Sequence, residues 1–139
     1  MPTNTAGNSG QRYHTMQTHY LAKTVTYSSL GLANVVKIGE LPPRAVVLRA
    51  STLIITGFND TTGDDLDIGI VGGDDDLFAS AVDLNTGANT ITAMDDLAAA
   101  NWFSTSARIV TCNFTTAATG DGSAGEAIVY MEYIVPVDA

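Results

Sequence analysis

Eight aspartates crowd one stretch of this chain: Asp60, Asp64, Asp65 and Asp67 form one cluster, and Asp74, Asp75, Asp76 and Asp83 form a second. Carboxylate oxygens at short spacing are the ligands that a hard cation such as calcium takes. The segment 64-DDLDIG-69 lacks the glutamate that closes an EF-hand loop, and the second cluster fits that spacing no better. The calcium candidates are therefore Asp64, Asp65, Asp67, Asp74 and Asp76. The competing expectation, preferred here, is that these acids are solvated loop tips, which keep a hydrophobic fold soluble and its sheet edges unpaired.

Other reactive side chains are few. His14 and His19 stand five apart beside Tyr13 and Tyr20, a spacing that by itself assembles no acid–base pair and suits surface or interface histidines. Cys112 is the sole cysteine, which rules out an internal disulfide and a two-cysteine metal site, and its place in an alternating apolar run predicts a buried, inert thiol. No G-x-S-x-G elbow and no His-Glu pair at zinc spacing occur. Gly72-Gly73 and Gly120 are followed by acids, and Gly122 by Ser123, rather than by a lysine and a helix, so they read as turns and not as phosphate cradles. The sequence thus offers no catalytic residue and no cofactor site, and predicts a protein that is not an enzyme.

Charge points instead to contacts. The net charge is −9, yet residues 1 to 49 hold five of the six bases (Arg12, Lys23, Lys37, Arg44, Arg49) against one acid, Glu40. The remainder is strongly acidic and repels nucleic acid, so no nucleic-acid partner is expected. The basic early segment suits docking on an acidic neighbour, including another copy of the same chain. The interface candidates are Arg12, Tyr13, Tyr20, Lys23, Tyr27, Arg44 and Arg49, the aromatics because such side chains are enriched at interface hot spots. Trp102 and Phe103 share that chemistry but read first as core residues. No apolar run reaches the roughly 18 residues of a membrane span, and the N-terminal residues lack the basic-then-apolar layout of a secretory signal, so a soluble product made in a cytoplasm is expected, with no membrane partner.

The elements that must position these residues are short. At 139 residues, 45% hydrophobic and 15% charged, the chain is long enough and apolar enough for one core. Residues 1 to 11 are small and polar and read as a free arm, leaving 12 to 139 as a single domain. From there β-type runs alternate with turn chemistry: 24–28, 34–39, 45–57, 66–71, 89–94, 107–116 and 126–136, split by Gly31, Pro42-Pro43, Asn59-Asp60, Gly72-Gly73, Asn85 and the glycines from 120 to 125. Val110, Cys112 and Phe114 alternate with Thr111, Asn113 and Thr115, which predicts a half-buried strand. Both parities of 126–136 are mostly apolar, so this strand is expected to be central or covered by another subunit on its second face. The long run 45–57 predicts a bulge near Ser51 or Thr52. A short helix is allowed only at 95–103, capped by Asp95 or Asp96. The fold class that follows is all-β, an antiparallel β-sandwich with an extended N-terminal arm and at most one short helix.

The segment 38-IGELPPRAVVLRASTLIITGFNDTTGDDLDIG-69, with its Gly-x-Leu-Pro step into an apolar strand, is followed by 73-GDDDLFASAVDLNTGA-88 and by Gly-Glu-Ala-x-Val-x-x-Glu-Tyr at 125–133. Together these resemble a family of small virion proteins of tailed bacteriophages. The resemblance implies a β-sandwich or jelly-roll-like structural protein of the particle, a head decoration or cement protein on the capsid surface. Its implied partners are the major capsid protein and copies of itself, as a homotrimer. The alternative from another class is a tail or fibre component, or a carbohydrate-binding module, whose exposed loops engage a receptor or glycan.

Overall fold

The structure is a computed structural model that describes residues 18–30, 35–59, 65–85, 90–93, 102–114 and 123–136. The proposed arm, Arg12, Tyr13, His14, Asp60, Asp64 and the helix expected from Asp95 lie outside the described residues. The described strands are β1 (His19–Thr26), β2 (Val36–Leu41), β3 (Val46–Thr56), β4 (Asp65–Ile70), β5 (Ala79–Asp83), β6 (Thr90–Ala93), β7 (Arg108–Phe114) and β8 (Glu126–Ile134). They form two four-stranded antiparallel sheets, β1-β8-β3-β6 and β2-β7-β4-β5, so the all-β sandwich that the sequence predicts is what forms.

The period-2 patterns decide which side chains meet between the sheets. From the first sheet Val25, Ala50, Thr52, Ile54, Ala127, Val129 and Met131 point inward; from the second Leu66, Ile68, Val110, Cys112 and Phe114 do so, all of them buried. Phe58 and Phe78, both buried, close the core, and Phe58 meets Phe114 edge to face at 6.0 Å. β8 lies between β1 and β3, in the central place expected of it, while its second apolar parity faces outward and is half-buried. Pro42-Pro43 carries the chain from one sheet to the other. Ala45 N–H donates to the Pro42 carbonyl at 3.2 Å, and Arg44 takes the left-handed conformation, φ 68°, that so tight a reversal demands.

Four expectations need correction. A strand at 79–83 was missed, because Ala79, Ser80 and Asp83 carry weak β signals within a stretch whose acids read as loop. The bulge near Ser51 or Thr52 is absent: β3 slips register against β8 between Val47 and Arg49 and again between Ile54 and Thr56, which keeps 50, 52 and 54 on the inward side. The run read as strand 24–28 starts earlier, at His19, and stops at Thr26, where Tyr27–Leu30 form a single helical turn (α1). Finally, Trp102 and Phe103 are not core residues; they are 45% and 42% exposed, with Phe103 bridged to Val46 at the margin of β3.

Candidate interaction surface

Two outer faces remain once the core is closed, and they differ in chemistry. The face of the β1-β8-β3-β6 sheet can be read row by row from the strand register. Ile134 lies beside Val46, which is bridged to Phe103; Tyr20, Glu132 and Arg49 form the next row. Ala22, Tyr130 and the buried Ser51 follow, then Thr24, Ile128, Leu53 and Ile91, and last Thr26, Glu126 and Thr56. Tyr20 and Ile91 are 62% and 63% exposed, and Leu53, Ile128, Tyr130 and Ile134 are half-buried by their neighbours alone. Across the charged row the Arg49 guanidinium donates to Glu132 Oε1 at 2.8 Å. A largely apolar surface with one ion pair and one further acid at its margin is the kind of patch that marks a contact with another macromolecule.

The interface candidates read from the sequence divide over this frame. Tyr20 and Arg49 stand on the outer face just described. Lys23 is exposed on β1, the edge strand of that sheet, and Arg44 is exposed at the arch between the sheets. Tyr27 packs against the core instead, and its N–H donates to the Gly125 carbonyl at 3.1 Å. Ile91, Leu53 and Ile128 complete the face and were not singled out from sequence. Their signal was present in β8, whose second parity is apolar without a core to fill.

The outer face of the β2-β7-β4-β5 sheet is acidic and partly covered. The loop after β4 folds back over Gly69, close enough that a Cβ there would meet the Asp74 carbonyl oxygen at 2.2 Å, and Ile70 N–H donates to that same carbonyl at 2.9 Å. At the tip of this loop the carboxylates of Asp74, Asp75 and Asp76 lie within 4.8 Å of one another. The Asp74 carboxyl is raised above its ordinary value, first through its hydrogen bond with Asp76 and then by the loss of solvent and the neighbouring negative charges.

The other calcium candidates do not join this group. Asp65 is exposed opposite Asp83 across the β4–β5 ladder. Asp67 is buried, and its Oδ1 accepts from Ala81 N–H at 2.9 Å where β5 bulges, with Ala81 at φ 54°. A shallow groove of about 520 Å³ runs beside the loop, between the exposed Val35 and Val71, over Thr111, Asn113 and Asp75. Cys112 lies beneath, its thiol pushed up to about 12 by burial. Among the described residues no helix is long and apolar enough to cross a membrane.

No protein-family model matches the chain, and no curated protein matches it in sequence. Solved structures do. A chain titled "Cyanophage Pam1 capsid asymmetric unit" superimposes with a TM-score of 0.67 at 16% identity, over 98% of this chain and 100% of that one. The fold is shared with chains of phage capsids. A chain from "Capsid of Ralstonia phage GP4" gives a TM-score of 0.60 at 20% identity over 86% of this chain and 84% of that one. A chain from "Acidic stable capsid structure of Helicobacter pylori bacteriophage KHP30" gives 0.57 at 12% identity over 88% and 90%.

Proposed function

We propose that this protein is a non-enzymatic structural component of a bacteriophage capsid. The observation that carries the reading is the likeness to the Pam1 capsid chain, which runs through the whole of that chain and nearly the whole of this one. The strand order supports it: 1-8-3-6 against 2-7-4-5 is that of a jelly roll, an architecture common among capsid proteins. The surface supports it too, since the outer face of the β1-β8-β3-β6 sheet is largely apolar.

The finer reading is a decoration or cement protein on the capsid surface, made in the host cytoplasm and assembled against the major capsid protein and other copies of itself. The small size of the matched chain and of this one suits an added component better than a shell-forming one. The trimer implied by the sequence resemblance belongs to the same reading. Reconstruction of the virions that carry this chain tests it: density for one sandwich at symmetric sites on the shell is expected. Density confined to the tail, or no density at all, would overturn the decoration role.

A further inference from the structure

We infer that the outer face of the β1-β8-β3-β6 sheet is a contact between two copies of this chain, packed face to face about a two-fold axis. Charge selects the occupant. The outer face of this sheet carries Arg49 against Glu132 and, in its last row, Glu126, whereas Lys23, paired with Val129, belongs to the other parity at the β1 edge, so the face is close to neutral. The opposite sheet with its β4–β5 loop carries seven acids against two bases, Lys37 and Arg108. Two copies, each with a net charge of −9, repel one another wherever acidic surface meets acidic surface. The nearly neutral face is where they approach at the least of that cost.

The pattern on the face also suits its own two-fold image. An isologous contact presents the same patch from both sides, so every residue must tolerate its counterpart's surroundings. Here apolar rows flank one charged row in which Arg49 and Glu132 already neutralise each other at 2.8 Å. A second copy inverted over it can exchange partners, Arg49 to Glu132 across the interface, so that this row stays neutral, with Glu126 left at the margin. A foreign acidic or basic surface would find no complementary charge there.

Size is sufficient. Four strands spaced about 4.8 Å apart, with β3 and β8 running some 30 Å, give a flat face on the order of 500 Å². The corrugated accessible area is larger than that footprint and approaches the roughly 800 Å² per partner of a standard interface. Two sheet faces pack at about 10 Å.

This inference stands on the face alone and is independent of the capsid reading, because it is read on the purified chain. Sedimentation velocity of the full chain at micromolar concentration is expected to show an even-numbered species: a dimer, or a hexamer if separate contacts also build trimers. Ile91→Asp and Tyr20→Asp, both at exposed positions, are expected to weaken the association about tenfold or more each, as removal of a hot-spot contact does. Val71→Asp, exposed on the other side of the molecule, is expected to leave it unchanged. A wild-type monomer or bare trimer overturns the inference, as does an even-numbered species that all three variants leave intact. Circular dichroism on the variants separates loss of association from loss of fold.

Discussion

At the scale of single residues, two buried polar atoms make opposite demands on the core. Thr52 is fully buried between the sheets, and its Oγ1 has no hydrogen-bond partner among the described residues. A desolvated hydroxyl without a partner costs about 1 to 3 kcal/mol, and valine has nearly the same shape without that cost. Thr52→Val is therefore expected to stabilise the protein by about 1 kcal/mol, seen as a higher midpoint in urea; a lower midpoint would show that the hydroxyl is satisfied after all. Cys112 behaves as a small hydrophobe whose thiol resists ionisation. Its pKa is raised from 9.0 to about 12 by burial, so above pH 9 the unfolded chain gives up this proton while the folded chain keeps it. The unfolded state then binds fewer protons, and stability, complete below pH 9, falls by about 1.4 kcal/mol per pH unit as pH rises toward the folded value. Cys112→Ala loses about 1 kcal/mol of packing at neutral pH but shows a shallower alkaline decline. The difference between the two pH curves isolates the thiol from the tyrosines and lysines.

At the scale of elements, the end of one loop locks the core. Gly125 sits at φ 151°, just before β8, and a Cβ there would come within 2.5 Å of the Phe58 ring, itself buried against Phe114. Gly125→Ala must therefore push a core aromatic aside as well as strain the backbone. It is expected to destabilise the fold by about 2 to 3 kcal/mol, checked by chemical denaturation, whereas Gly72→Ala, with open space around its Cβ, costs only its backbone strain. Neither role was legible in the sequence, where both glycines read as turns. What was legible is instructive. Seven of the strands announced themselves because β-branched and apolar residues alternate or run on between glycines and prolines. β5 did not, since its pairing with β4 is held by a tertiary device, the Asp67 carboxylate accepting from Ala81 N–H, which no local pattern encodes. The same holds for the candidate surface: the second apolar parity of β8 pointed to it, while Ile91 and Leu53 joined it only through the register of β3 and β6.

At the scale of the whole molecule, like charges outweigh opposite ones. The ion pair Arg49–Glu132 is exposed on its arginine side, and such pairs contribute little, at most about 1 kcal/mol. Against it stand Asp65 facing Asp83 across a ladder and the three neighbouring carboxylates of Asp74, Asp75 and Asp76. Repulsion of this kind is screened by salt over about 10 Å at 0.1 M ionic strength. Adding salt at neutral pH is therefore expected to raise the melting temperature of Ile91→Asp, a variant expected to self-associate less than the unsubstituted chain, so that changes in association mask the effect less. Acid acts in the same direction at the loop tip. Because the folded-state pKa of Asp74 is raised, the folded chain binds this proton more readily than the unfolded one. The contribution of Asp74 to stability thus grows as pH falls through its folded value, the reverse of a salt-bridged aspartate. Asp74→Asn removes that contribution, so its melting temperature should vary less with pH across the carboxylate range and depend less on salt than that of the unsubstituted chain. A melting temperature that instead falls with salt would mean that attractive pairs dominate, and would remove the charge argument that selects a second copy for the nearly neutral face.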